Sequence, residues 1–520
     1  MFTQLNQSLN DTLSKLGAAR SLLSRVNIGL ERETLRIDEK SGRLSSTPHP
    51  KAIGSALTHS NITTDFAEMM LEFVTDPHDS VEETLSSLEK IQEFTYRRLN
   101  GELFWPNSMP PAIESDDEII IGYYGESNEG KMKHTYRVGL SHRYGKMMQA
   151  ISGIHYNFSF KDEFFIALQK ALGNTQTLNQ FKTERYLNLA RNIARVGFVV
   201  PYFIGASPLM CKSFLRDKPN KFDDFNDVDS YVKSGTSLRL SDIGYGNNKC
   251  HFDVSLNDLN SFVKNIYYAI TTPCKDFSKI EIKKEGKYQQ INNHILQIEN
   301  EYYSSIRPKQ IMKKGESFIE ALNNRGIEYV ELRSIDINPL ISTGIDLPAM
   351  KFLQALLTAC LLTDAAPLDQ KEYEQTQRNL KLVAENGKRD DFHLTIANEV
   401  FELPDALQKV IDWMRPICEQ LENGFSDALS HFEKMIENPE LTPSSIILEK
   451  IQASGLTYQE YFFKVAHQHY SESMEFKVSD AEMALFDEKA TASLEKLAAI
   501  EAEPQIPFDE FLDNYFDISL

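Results

Sequence analysis

Two carboxylates flank an arginine in Gly29-Leu30-Glu31-Arg32-Glu33-Thr34-Leu35-Arg36. The run from Asn27 to Ile37 alternates as a strand does, which sets Gly29, Glu31, Glu33, Leu35 and Ile37 on one face. Glu31 and Glu33 are then about 7 Å apart and repel by about 2 kcal/mol at an effective dielectric of roughly 20. In a cleft such a pair needs a cation, and a hard divalent metal with oxygen ligands is the natural one. On an open surface the same residues make a solvated, charge-laced edge strand, and these residues alone leave both readings open.

Further segments add chemistry of the same kind. Thr63 to Val74 reads as an irregular turn leading into a strand, and its Asp65, Glu68 and Glu72 are costly to bury unless neutralised. Ile151 to Phe160 sets His155, Asn157 and Ser159 on a polar face, opposite Ile154, Tyr156, Phe158 and Phe160. A lone histidine on a strand is more often structural, but beside Asn157 it fits a metal or phosphate ligand. Thr236 to Tyr245 sets Ser237, Arg239 and Ser241 opposite Leu238 and Leu240. Arg239 there fits either the grip of a substrate carboxylate or a surface ion pair. Ile295 to Tyr303 alternates too, with Gln297, Glu299, Glu301 and Tyr303 together, and Ile327 to Ile335 groups Tyr329, Glu331, Arg333 and Ile335. A Glu331–Arg333 pair is ordinarily structural; in a nucleotide site it would divide, the carboxylate to metal and the arginine to a transferring phosphoryl group. Gly122 to Lys131 is glycine-rich but matches neither a Walker A loop nor a dinucleotide fingerprint, and reads as a mobile loop.

The elements that must hold these residues follow from periodicity. Phe2, Leu5, Leu9, Leu13 and Leu16 predict an opening helix, and residues 80–99 a second one. Beyond residue 350 the chain turns helical, with Leu353, Leu356, Leu357 and Cys360 on an apolar face and later helices starting near Thr442-Pro443 and Ser479-Asp480. The chemistry therefore lies before residue 340 or so, and the last third reads as a helical buttress. The chain has 520 residues, 41% hydrophobic and 25% charged, enough for a large core. Its net charge of -20 argues against a nucleic-acid or anionic-membrane binder. Five scattered cysteines without CxxC spacing predict reduced thiols and a cytoplasmic protein, and Met1 to Leu5 lacks the character of a signal peptide. The apolar run from Phe352 to Leu362 is too short to span a bilayer.

GLERETLR, ALTHSNITTDFAEMMLEFVT, WPNSMP, YRVGLSHRYG, MQAISGIHYNFSF, PYFIGASP, TSLRLSDIGY, LQIENEYYSSIRPK and GIEYVELRSIDINP occur in this order. From Gly29 to Pro339 the chain resembles the proteobacterial monofunctional glutamate–cysteine ligases. The resemblance implies an α+β, glutamine synthetase-like fold: a curved, mainly antiparallel sheet lining the active site, helices outside it and a helical C-terminal third. It implies one catalytic unit over 1–520, with an active-site core at about 20–345 and a helical region at about 346–520. The implied reaction joins the γ-carboxyl of L-glutamate to the amine of L-cysteine through γ-glutamyl phosphate, with ATP as substrate, as the first step of glutathione biosynthesis. By similarity Glu31, Glu33, Asp65, Glu72, His155 and Glu331 would ligate Mg2+, or Mn2+ in its place. Arg333 would be catalytic, offsetting the charge of the transferring phosphoryl. Arg239 would hold the glutamate carboxylate, and Tyr136, Arg137, Leu140, Tyr245 and Tyr303 would shape the acceptor pocket. Glu68 has no assigned role, and a monomer is expected.

Three other readings fit parts of the sequence. A ligase using another amine would share the activation step. A glycoside hydrolase could use Glu31 and Glu33 as acid and base, but leaves His155, Arg239 and Arg333 without roles. A non-catalytic divalent-cation binder explains the acidic faces but not the arginines.

Overall fold

The structure, a computed structural model, describes residues 1–216, 221–244, 250–313 and 315–518. Its centre is a seven-stranded sheet: β1 (Val26–Asp38), β2 (Ile62–Thr64), β3 (Met70–Val74), β4 (Glu102–Phe104), β5 (Ile154–Phe160), β6 (Ile306–Lys309) and β7 (Tyr329–Ile335). The order is β6-β7-β5-β1-β3-β2, with β4 beside the end of β1, and every pairing is antiparallel. The long β1 is the spine: its first half pairs with β5, and β3 and then β4 take its later half.

Alternation explains why this sheet has two unlike faces. Val26, Ile28 and Leu30 of β1 turn to the same side as Tyr156, Phe158 and Phe160 of β5, Val330 and Leu332 of β7, and Leu71 and Phe73 of β3, and all are buried. They join one apolar cluster with the opening helix Phe2–Leu16 and the helix Val81–Arg98. The opposite side carries the charged and polar residues. A register shift in β7 between Leu332 and Ile335, opposite β5, changes the local twist next to Arg333.

Behind the apolar side lies the helix Leu347–Leu362, buried from Ala349 to Leu362 except at Lys351. The expected stripe of Leu353, Leu356, Leu357 and Cys360 is therefore part of a helix that is apolar all round, as a central helix must be. It packs on the helices Leu178–Val196, Leu403–Leu421 and Phe425–Glu437. Its last carbonyls would be costly orphans in this interior. Arg185 Nε donates to Leu361 O at 3.0 Å, and Asn192 Nδ2 donates to Cys360 O at 2.9 Å and Thr363 O at 2.8 Å. Helices start at Pro443 and Asp480, as the Thr442-Pro443 and Ser479-Asp480 signals predict.

Four expectations need correction. Residues 122–127 are irregular, but Asn128 to Lys131 begin the helix Asn128–Tyr144, because Ser127 Oγ caps it by accepting Gly130 N–H at 3.1 Å. Thr236 to Gly244 form turns rather than a strand, although Arg239 is still buried, and Tyr245 lies outside the described residues. Glu299–Glu301 form a single 3-10 turn, so the alternation from Ile295 is not a strand. The thiols are not all free: Cys250 and Cys274 are bonded, with Cα atoms 6.3 Å apart, because the helix Leu259–Thr271 folds the segment between them back on itself. Among the described residues no helix is long and apolar enough to cross a membrane.

Phe158 is fully buried on the apolar side of β5. Phe158→Ala is expected to cost about 3–5 kcal/mol in a denaturant melt, whereas Tyr123→Ala, at a residue 52% exposed, should stay within about 0.5 kcal/mol of wild type.

Candidate functional site

The polar side of the sheet gathers acids from three strands, β1, β3 and β7, and a histidine from β5, which lies between β1 and β7. Glu31 faces His155 across β1 and β5, Glu33 faces Glu72 across β1 and β3, and Glu331 faces Asn157 across β5 and β7. His155 Nδ1 lies 2.8 Å from Glu31 Oε2 and 3.3 Å from Glu331 Oε1, and its Nε2 is 3.8 Å from Glu33 Oε1. Asn157 Nδ2 donates to Glu31 Oε1 at 2.9 Å, and Gly153 N–H donates to Glu33 Oε2 at 2.6 Å. One ligand atom from each of Glu31, His155 and Glu331 lies within 4.8 Å of the other two. Asp65 sits in the bend between β2 and β3, where its charge acts on both Glu33 and Glu72. All six acidic and histidine candidates are thus brought together.

Burial and mutual repulsion divide the acids into two groups. Burial raises the Glu331 carboxyl, but Arg333, Lys309, His155 and Arg307 outweigh it and hold Glu331 well below the usual range. Burial and Glu331 push Glu31 up, and the His155 hydrogen bond and charge with Lys309 more than offset them. Glu33 goes the other way: burial and Asp65 push it up to about 8, against Arg239, Arg333 and the Gly153 N–H. Glu72 is raised well above 4.5 by burial, then by Glu31, Asp65 and Glu33. Burial and Arg333 lower His155 against the opposing pull of Glu31 and Glu331, a shift towards the neutral imidazole that can donate a lone pair. The carboxylate oxygens are the donors that suit a hard ion such as Mg2+ or Mn2+, and the single imidazole nitrogen is a softer donor beside them. The buried Glu331 Oε2 accepts no hydrogen bond and has only the Lys309 ammonium, 3.4 Å away, as an ion-pair partner.

Arg333 Nη1 donates to Glu331 Oε1 at 2.6 Å, and its guanidinium carbon stands 5.7 Å from the centre of the Tyr303 ring. Arg239 is buried; its Nη2 donates to Arg333 O at 2.8 Å while its Nε and Nη1 have no hydrogen-bond partner. Those idle donors are what an incoming anion would use. A Cβ on Gly153 would stand 2.1 Å from Arg239 Nη2, so only glycine lets this guanidinium lie against the β5 approach.

Tyr136, Arg137 and Leu140 lie on the helix Asn128–Tyr144. Arg137 donates to Asp65 O and to Lys133 O, and stacks 4.5 Å from the Tyr124 ring centre. Leu140 is buried in the apolar cluster that holds Met147 and Ile151, with Tyr136 packed against it. Glu68 is a brace: its two oxygens accept His49 N–H at 3.0 Å and Tyr123 N–H at 2.8 Å. Glu299 and Glu301 are tied elsewhere, Glu299 to Tyr515 and Glu301 to Arg143 and Tyr144.

Several neighbours were missed by sequence reasoning. Asp336 is buried, accepts from Ala206 N–H at 2.9 Å, Ser207 Oγ at 2.6 Å and Ser237 Oγ at 3.0 Å, and lies 3.8 Å from Arg239 Nη1. Its signal was an acid placed directly after an alternating strand. Arg307 and Lys309 share the site face of β6 by the same alternation, with Arg307 opposite Glu331. Gln377 and Lys381, with Arg239, Tyr303 and Arg333, line a pocket of about 60 Å³. They belong to the helix Gln370–Asn386, so the C-terminal region does more than buttress; no local pattern marks them.

The glutamate–cysteine ligase family model matches residues 13–383. A glutamate–cysteine ligase from Shewanella halifaxensis is 38% identical over 98% of this chain and 99% of its own length. The solved glutamate–cysteine ligase from Francisella tularensis, in complex with AMP, superposes with a TM-score of 0.90 at 32% identity, covering 95% of this chain and 97% of that one. A bifunctional glutathione synthetase from Pasteurella multocida shares the fold, with a TM-score of 0.73 at 24% identity over 92% of this chain and 58% of that one. The chain belongs to the glutamate–cysteine ligase family.

Proposed function

We propose that this protein performs the family's reaction at the polar side of the sheet, with the residue roles given below. The reaction is the ATP-dependent joining of the L-glutamate γ-carboxyl to the L-cysteine amine. The observation that carries the assignment is the meeting of Glu31, His155 and Glu331 beside two arginines, one of them with unused buried donors. A carboxylate is a poor electrophile. Its oxygen first attacks the terminal phosphorus of ATP, the bond to ADP breaks, and an acyl phosphate results. Glu31, His155 and Glu331, extended by Glu33, Asp65 and Glu72, would hold Mg2+ or Mn2+, which supplies Lewis-acid charge for the phosphates. Arg239 holds the α-carboxylate of glutamate and so aims the γ-carboxyl. Arg333 leaves Glu331 for the transferring phosphoryl and offsets its charge. The cysteine amine then attacks the acyl carbon, inorganic phosphate leaves, and the nitrogen loses its proton. Tyr136, Arg137, Leu140 and Tyr303 would bound the acceptor side; Tyr245, outside the described residues, joins them by family resemblance alone. The chain acts as one catalytic unit; shared packing of the sheet and the helix Leu347–Leu362 supports this.

With MgATP and L-glutamate, ADP release should depend on L-cysteine and give the mass of γ-glutamylcysteine. Release driven by a different amine would overturn the acceptor, and no nucleotide turnover with any pairing would overturn the reading. Arg333→Ala should lower kcat by about 10³-fold or more while ATP binding by calorimetry changes little; near wild-type turnover would remove its role. Chelating the metal should abolish turnover, and Mg2+ should raise the wild-type Tm but barely move that of Glu72→Gln. In the metal-free protein the Glu72 carboxyl is raised above 4.5, so the folded state binds the extra proton and stability falls as pH rises past 4.5. Metal-free Glu72→Gln should therefore melt above metal-free wild type at alkaline pH and together with it near pH 5.

A further inference from the structure

The pocket beside Arg239 and Arg333 is walled by the helix Gln370–Asn386, which places Gln377 and Lys381 on it one turn apart. Three cations line this pocket: Arg239, Arg333 and Lys381. If the reaction is the one proposed above, on which this inference rests, three anionic groups must be met there: the donor's α-carboxylate, the transferring phosphoryl and the carboxylate of the acceptor amino acid. Arg239 and Arg333 account for the first two. We infer that Lys381 is a specificity-determining residue that binds the acceptor's carboxylate, with Gln377 beside it.

Lys381 is placed to make this exchange. Its present partner is Asp242 Oδ1 at 3.2 Å, with side chains 36% and 63% exposed. Exposed pairs of this kind are weak and easily exchanged. Asp242 keeps a second cation, Lys221 at 3.4 Å, and Lys221 is itself held by Glu385 at 2.6 Å. Lys381 can therefore turn to the pocket without leaving Asp242 bare, and the turn containing Arg239 stays tied to the helix. An ammonium on a flexible stem suits a substrate carboxylate that arrives and leaves each cycle.

The test compares L-cysteine with cysteamine, which has the same amine and thiol but no carboxylate, at saturating MgATP and L-glutamate. The wild type should favour cysteine in kcat/KM. In Lys381→Met the preference should fall about tenfold or more, through the KM for cysteine, with kcat and the KM for glutamate little changed. Lys381→Arg should restore most of the preference. Asp242→Asn cuts the surface tie but keeps the lysine, and should keep the preference. The inference is overturned if Lys381→Met slows both acceptors equally, if it raises the KM for glutamate instead, if Asp242→Asn reproduces its effect, or if the wild type does not discriminate. A wild type that makes no γ-glutamyl product from either acceptor overturns the functional reading as well, which separates the two failures.

Discussion

Like charges on neighbouring strands repel, and the sheet carries Glu31, Glu33, Glu72 and Glu331 on one side within reach of each other's fields. Two devices make this tolerable. One is a shell of cations, Arg333 and Lys309 on Glu331 and Arg239 near Glu33, which lets part of the cluster stay ionised. The other is the apolar reverse side, where Tyr156, Phe158, Leu30 and Leu332 pack without exposure. Burial there fixes the register, because a slip of one residue would turn the carboxylates into the core. The stability of the reverse side is thus what permits an unfavourable obverse.

The two arginines are engaged to different degrees. Arg333 sits on Glu331 while Arg239 keeps buried donors idle. On the proposed reading an anionic substrate would satisfy the second and compete for the first. Gly153 and Asp336 matter here through Arg239: the glycine gives it room, and the aspartate gathers Ala206, Ser207 and Ser237 around its base.

Much of this could be read in the chain because strand alternation is local. Glu31 with Glu33, His155 with Asn157, and Glu331 with Arg333 lie on strands whose period places them correctly before any partner is known. The same rule misled at Thr236 to Gly244 and at Ile295 to Tyr303, where short polar–apolar alternation serves turns whose side chains are fixed by distant contacts. Arg239 stands out there for its planar guanidinium, which fits a substrate carboxylate or a surface ion pair; its burial, known only from the fold, rules out the surface reading. Lys381 could not be found: on its own helix it is one more solvated lysine, and only the packing of that helix beside Arg239 gives it a neighbour worth meeting. The Cys250–Cys274 bond was hidden for a similar reason, since a helix between the two cysteines closes a gap that spacing makes look wide.

The order of strands across the sheet has a consequence in time. β1 leaves a ribosome early, yet one edge waits for β5, and β5 waits for β7 near the middle of the chain. Contacts between segments so remote in sequence form late and slowly. A chain made only as far as β5 carries Glu31, Glu33 and His155 but lacks Glu331. The cluster of Glu31, His155 and Glu331 is thus assembled from segments that emerge about three hundred residues apart, and no shorter stretch of the chain holds all three.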